Sequence, residues 1–360
     1  MSEKYSDTVD SLLDLPVNFL DDSAGGSPVV ISSRIRLARN LREFNFPPAI
    51  SADDAQTVSK VLMQALEHSK IAGPRSRKFF IEELDDLDRE ILFERHLVSR
   101  ELLSNSKHPA VYVSGDESLS AMVNEEDHLR MQVILPGLQL PRAWQEINAL
   151  DDQLSCELDF AYDGLLGYLT SCPSNLGTGL RVSVMLHLPA LTMENNIKPL
   201  ERALSKRGLT VRGMFGEGSE NLGNFYQISN QSTLGESEMQ IIERLSRVID
   251  EVVSHEESSR NRLLEQDRNR LLDFVGRSFG LLRHSYMLSS QEAFNSLSGI
   301  RLGVDMHMFN TLNRRVVNDL FMAISPAHLQ KRFGRVLNGQ ERDAFRAETV
   351  RAQLKINGSM

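Results

Sequence analysis

Four short stretches combine charge with unusual backbone: SSRIR (Ser32–Arg36), NEEDHLR (Asn124–Arg130), CPSNLGTGLR (Cys172–Arg181) and VRGMFGEGSE (Val211–Glu220). Arg34 and Arg36 share a parity, so on a strand they point the same way. Arg130, Arg181 and Arg212 come from the other three stretches. Five arginines converging from separate segments would suit a triphosphate, because guanidinium groups bind phosphate oxygens in a planar, bidentate way that lysine cannot. With Mg²⁺ they would neutralise a transferring phosphoryl group. Glu126 and Glu217 would then lack cationic partners, and a planar guanidinium fits that need. Each stretch also has a plainer reading. SSRIR can be a solvated strand face, NEED a hairpin turn, and Cys172 a small buried hydrophobe. Gly213, Gly216 and Gly218 can simply allow a tight loop.

The familiar nucleotide signatures are missing: there is no GxxxxGK[ST], no GxGxxG after a strand and no HRD…DFG set. Any phosphate site must therefore be built from the elements around these arginines. Leu180, Val182, Val184, Leu186 and Leu188 alternate with Arg181, Ser183, Met185 and His187, the period of a half-buried strand. The glycines before Arg181 are expected to let backbone and ligand come close. VVISSRIRLARNL reads as a short strand followed by an Arg-dense stretch, and 119–135 as a hairpin with NEED near its turn. Ser51 caps a helix whose stripe is Val58, Val61, Leu62, Ala65 and Leu66. A single helix is predicted through LDDLDREILFERHLVSREL, with others at 142–160 and 194–207. After 238 the texture becomes helical, and Ser289 with Glu292 fits a capping box. Closely spaced strands without long crossovers predict an α+β fold with a mostly antiparallel sheet flanked by helices, followed by an α-helical domain. The expected division is a mobile or loosely docked lead-in at 1–27, a catalytic domain at 28–255 and helices at 256–360.

The chain has 360 residues, enough for two domains. Its net charge of −9 argues against a general nucleic-acid binder, which needs a basic surface. It has no long apolar run and no signal-peptide core, so no membrane association is expected. Two cysteines, Cys156 and Cys172, make no disulfide framework and point to a reduced, cytoplasmic protein. Of 40 basic residues, 31 are Arg. Genomic base composition accounts for that bias, as would a need for bidentate anion recognition.

Taken in order, SSRIR, NEEDHLR, CPSNLGTGLR and RGMFGE…YQISN resemble the catalytic motifs of the ATP:guanido phosphotransferases, the arginine and creatine kinase family. The small-molecule kinases of that family carry a helical domain before the first Arg motif. Here the motif begins at Ser32 and a helical region follows instead, which looks like the bacterial protein-arginine kinases of the McsB type. The resemblance implies ATP as phosphoryl donor, with Mg²⁺ held mainly through its phosphates and no protein metal site. It assigns the nucleotide to Ser32, Ser33, Arg34, Ile35, Arg36, His96, Arg130, the strand Arg181, Val182, Ser183, Val184, Met185, and the loop Arg212, Gly213, Met214, Phe215, Gly216. Glu126 and Glu217 would hold the substrate guanidinium, with Cys172 beside it.

Arginine is charged at neutral pH and a poor nucleophile, so two carboxylates would orient it and accept its proton, with no covalent enzyme intermediate. RDAFRA matches the family's phosphoarginine-binding RDxxRP at Arg342, Asp343 and Arg346, with Ala347 in place of proline. Implied partners are proteins with exposed arginine, an activator, a Clp-type protease and a second copy of the chain. The competing expectations are a small-guanidine kinase and a non-catalytic phosphoarginine adaptor.

Overall fold

Strand alternation sorts most of the chemistry onto one side of a sheet and the core onto the other. The computed structural model describes residues 8–357 apart from 14, 22–24, 74 and 214–221. The strands are β1 (Val30–Arg39), β2 (Arg77–Phe80), β3 (Ala110–Val113), β4 (Leu119–Val123), β5 (Leu129–Pro136), β6 (Tyr162–Asp163), β7 (Gly167–Tyr168), β8 (Leu180–His187), β9 (Leu209–Gly213) and β10 (Phe225–Asn230). The helices are α1 (Asp10–Leu13), α2 (Ala52–Ser69), α3 (Asp86–Glu94), α4 (Arg100–Asn105), α5 (Leu140–Ser155), α6 (Pro189–Met193), α7 (Ile197–Ser205), α8 (Glu238–Gln266), α9 (Arg268–His284), α10 (Ser290–Asp305), α11 (Arg314–Ala323), α12 (Pro326–Arg332) and α13 (Gly339–Asn357).

Eight strands form one sheet in the order β2-β3-β4-β5-β1-β8-β10-β9, and every neighbouring pair is antiparallel. Ile35, Leu37, Met131, Val133, Val182, Val184 and Ile228 point to one face, where α2, α5 and the first half of α8 complete the main core. The opposite face carries Arg34 and Arg36 of β1, Gln132 of β5, and Arg181 and Ser183 of β8. Cross-strand register sets Arg36 opposite both Arg181 and Gln132, and Arg34 opposite Ser183. Directly opposed residues share a face, so the register alone gathers these groups.

Three expectations change. β1 does not stop before the Arg-dense stretch but runs through it to Arg39. The alternation explains this: apolar residues at odd positions and arginines at even ones serve two faces of a single strand. Arg39, on the apolar parity, is tolerated because it is clamped by Asp151 of α5 at 2.9 and 2.6 Å. The single helix over 84–102 is two, α3 and α4, broken where His96 takes the left-handed conformation (φ 58°) and Ser99 caps α4 through the Leu102 amide. Val61 of the predicted α2 stripe is exposed, while Val58, Leu62, Ala65 and Leu66 are buried.

The described residues of the N-terminal segment are docked. Val9 and Leu12 are buried in a small core with α3 and α4, and Phe19 and Leu20 enter the core of the C-terminal helices. α8 passes through residue 255 without a break: Ile241–Val252 serve the main core and Leu263 the second. That second core also takes Ile31, Ile134, Met185 and Phe225 from the sheet. The C-terminal helices thus cover one end of the sheet's polar side and leave the arginine end outside that core.

Candidate active site

The arginine end of the polar face holds more positive charge than the described residues neutralise. Arg130 is matched by Glu125 at 2.6 Å. Burial acts against the charge of Arg130, but Glu125 outweighs it and raises its pKa. Arg34 bonds Gln132 Oε1, and Arg181 Nη2 donates to Ser229 Oγ at 3.2 Å. Arg36 donates to no protein acceptor among the described residues, and the buried Nε atoms of both Arg34 and Arg36 lack partners. Burial, then the neighbouring Arg130 and Arg181, pull Arg34 down to about 9. Burial, then Arg34, Arg130 and Arg181, also lower Arg36 well below the usual arginine range. Unpaired buried donors in a field of like charge make an anion site, because an anion supplies both the missing acceptors and the missing charge. Polyphosphate therefore fits the residues present. Arg212 lies on the same face, two strands from Arg181, opposite Gln227, which in turn opposes Met185.

His96 borders this cage. Its carbonyl accepts Gln132 Nε2 at 2.6 Å, and its ring packs edge-on against Phe19 with centroids 4.7 Å apart. Burial and then Arg34 push the imidazole down to about 3, so it is neutral at physiological pH.

The turn NEEDH is the most heavily braced part of the site. Asn124 adopts φ 57°, a conformation Asn tolerates, and its side chain donates to Ala55 O at 2.8 Å and Lys107 O at 3.1 Å. Asp127 accepts from Asn40 Nδ2 at 2.6 Å and the Ser171 amide at 2.7 Å, tying the turn to the Cys172 loop. His128 is fixed between the Leu41 amide at 3.1 Å and the Asn45 carbonyl at 3.0 Å. These bonds give the adjacent carboxylates opposite characters. Burial pushes Glu125 up, but Arg130 and Ser99 overcome it and hold Glu125 ionised. Glu126 makes no ion pair among the described residues. Burial raises its pKa; Arg130 opposes this, while Asp127 and Glu125 add to it. Asn175 Nδ2 reaches Glu126 Oε2 at 3.5 Å, and the Cys172 side chain bonds the same carboxylate. Cys172 Sγ also lies 3.1 Å from Ser174 Oγ. A half-buried carboxylate with raised proton affinity beside an anion cage can receive a cation and take a proton from it.

Several predicted residues lie elsewhere. Ser33, Ile35, Val182 and Val184 are on the far side of the sheet, where Ser33 bonds Gly137 O and the Gln139 amide and the other three fill the core. Their side chains do not reach the polar face. Ser32, Ser183 and Met185 sit at register positions on the polar face, and Gly213 ends the edge strand β9 opposite Tyr226 of the core face. Met214, Phe215, Gly216 and Glu217 fall outside the described residues. The glycines before Arg181 serve backbone packing, not ligand approach. A Cβ on Gly179 would stand 2.6 Å from Ala38 O, and one on Gly177 2.8 Å from Thr233 O.

Sequence reading missed Gln132 and Ser99, and it took Glu126 but not Glu125 as a site carboxylate. The parity of Gln132 with Arg130 could have flagged the first.

The RDAFRA segment is part of α13. Arg346 is 1% exposed, with Nε donating to Ile324 O at 3.1 Å and Nη1 to Leu288 O and Asp343 Oδ1, each at 2.7 Å. Burial lowers its pKa against the pull of Asp343. Its Nε and Nη1 donors are thus engaged within the C-terminal region. Arg342 is half-buried, with one bond to Leu337 O at 3.4 Å. Ala347 is fully buried in the second core.

The geometry is that of a phosphotransferase whose acceptor is cationic, and similarity to known proteins agrees. Residues 57–259 match the model of the ATP:guanido phosphotransferase C-terminal catalytic domain, and 268–359 that of the protein-arginine kinase McsB C-terminal domain. The chain is 45% identical to a protein-arginine kinase of Halothermothrix orenii over 92% of this chain and 96% of that one. It is 44% identical to one from Halalkalibacterium halodurans, over 92% and 93%. Among solved structures, lombricine kinase superposes with a TM-score of 0.55 at 25% identity, over 68% of this chain and 72% of that one. The chain belongs to the ATP:guanido phosphotransferase family.

Proposed function

We propose that the protein is a kinase that transfers the γ-phosphate of ATP to arginine side chains of proteins. The observation that carries this is Arg36, with no acceptor among the described residues, on one face of the sheet beside a half-buried Glu126 of raised proton affinity. The match of the C-terminal region to the McsB domain, and the names of full-length relatives, favour protein arginine over a free guanidine. Arg34, Arg36, Arg130, Arg181 and Arg212 hold the polyphosphate and stabilise charge on the transferring group. Mg²⁺ is carried on the nucleotide phosphates; no group of three or more acidic, His or Cys side chains suited to a metal exists among the described residues. Glu126 orients the substrate guanidinium, draws its charge away from the attacking nitrogen and accepts the proton. Glu217 is its proposed partner carboxylate. Cys172, bonded to Glu126, tunes that carboxylate.

Two copies are proposed to associate through the C-terminal helices, where Leu264, Leu272 and Leu281 are partly exposed. Phosphoarginine is proposed to mark clients for a Clp-type protease in the cytoplasm, under an activator's control. No helix among the described residues is long and apolar enough to cross a membrane.

The test is incubation of ATP with a protein substrate and, separately, with free arginine, each read by mass spectrometry for phosphoarginine. Phosphoarginine on protein is expected. Turnover of free arginine alone would assign the chain to the small-guanidine kinases instead.

A further inference from the structure

Glu94, Arg95 and His96 are consecutive, yet each binds a different part of the molecule. Glu94 ends α3 and is 7% exposed. Its carboxylate accepts from the Ala327 amide at 2.7 Å, the His328 amide at 3.0 Å and His328 Nδ1 at 2.7 Å. It thus holds the first turn of α12, an element of the C-terminal region. Arg95 is clamped by Glu117 at 2.8 and 2.7 Å, donates to Leu15 O at 3.0 Å in the N-terminal segment, and lies 3.4 Å from His328 Nε2. His96, in its left-handed conformation, holds Gln132, and Gln132 holds Arg34. Polar bonds at both ends, joined by the backbone from Glu94 to His96, therefore connect α12 to the cage. The backbone between Glu94 and His96 leaves little freedom, because the Arg95 and His96 amides are themselves bonded to Ile91 O and Phe93 O.

We propose that Glu94 is a positioning residue for phosphoryl transfer: by gripping α12 it fixes His96 and, through Gln132, the Arg34 guanidinium. The C-terminal helices are then part of the nucleotide site, although none of them supplies a group to it. This rests on the assignment of the cage to nucleotide phosphates. If Arg34 is set by this connection, loosening α12 weakens nucleotide binding and leaves the protein-substrate side, organised by the NEEDH turn, in place. Linkage requires the reverse as well: bound nucleotide must tighten the α12 contact.

The experiment uses the full chain with Glu94→Gln and His328→Ala, measuring kcat and the KM for ATP and for a protein substrate. Expected is at least a tenfold rise in the KM for ATP, with the KM for protein changed less than twofold. A purely structural role would lower the folded fraction and therefore kcat, at unchanged KM for ATP; that result overturns the proposal. If neither variant folds, hydrogen exchange of the wild type decides. A non-hydrolysable ATP analogue should slow exchange at 326–332 by threefold or more, and unchanged exchange rejects the link. Absence of ATP-dependent arginine phosphorylation in the wild type would strike the functional assignment itself, a separate outcome.

Discussion

Arg36 and Arg346 are the same residue type with opposite fates; Arg346 is fully buried, and Arg36 is partly buried with its Nε screened from water. Arg36 stands on β1 among other arginines, with its buried Nε unpaired and its charge opposed by its neighbours. Arg346 stands on α13 with carbonyls of Ile324 and Leu288 and the carboxylate of Asp343 around it. The difference is local supply. Near Arg346, Ile324 ends α11 and Leu288 lies in the linker before α10, and both carbonyls are left outside a helix ladder. The middle of a sheet uses its carbonyls in the ladder and offers none to Arg36. Arginine with its acceptors at hand has its donors spent within the fold; arginine without them still has donors to offer an anion.

Substitutions can break that contrast. Arg36→Ala should lower kcat/KM by roughly 10²–10³-fold, the usual effect of removing one preorganised charge-stabilising donor. It should leave the thermal midpoint unchanged or higher, since it relieves like-charge repulsion. A marked loss of stability with activity retained would reverse the assignment. Glu126→Gln should lower kcat by about 10²-fold or more, as expected for a lost proton acceptor, with nucleotide binding preserved. Equal turnover in that variant would remove Glu126 from the chemistry.

Arg346→Ala should do the opposite of Arg36→Ala. It should destabilise the fold by about 2–3 kcal/mol, because buried carbonyls lose their donor, while the folded fraction keeps its kcat. Thermal denaturation followed by active-site titration separates the two effects. The pH profile sharpens the picture of Glu126. The base must be ionised, and burial raises its pKa. Activity should therefore fall on acidification with a midpoint above about 4.3, the ordinary glutamate value. A midpoint at or below that value contradicts the half-buried environment. Cys172→Ser should have the smallest effect, within about tenfold on kcat, because its hydroxyl can keep a bond to Glu126; a complete loss would make the thiol essential.

The strand period of β8, the 119–135 hairpin and the antiparallel α+β class were legible because side-chain alternation is local. The grouping of Arg34, Arg36, Arg130 and Arg181 was inferable from motif order, since strand parity fixes which face each residue takes. The continuation of β1 through the arginines was not, because an Arg-rich run looks solvated until a second face exists to receive it. The break at His96 was hidden for a related reason. LDDLDREILFERHLVSREL carries good helix formers, and only the bonds to α12, Glu117 and Gln132 make the left-handed turn worthwhile.

Sequence alone determined the residue types available to the site, their parity on each strand and the family motifs that contain them. Tertiary structure decided which charges remained unpaired. Glu125 and Glu126 are identical neighbours in the chain, but Arg130 and Ser99 reach only the first, and the Cys172 loop meets the second. Within RDAFRA, Arg346 is buried with Ile324 and Leu288 taking two of its donors, while Arg342 keeps a single bond at 3.4 Å. The physical reason is the same in both cases. An ionisable side chain acquires its role from desolvation and from the partners that packing brings within about 3 Å, and neither is written into the local sequence.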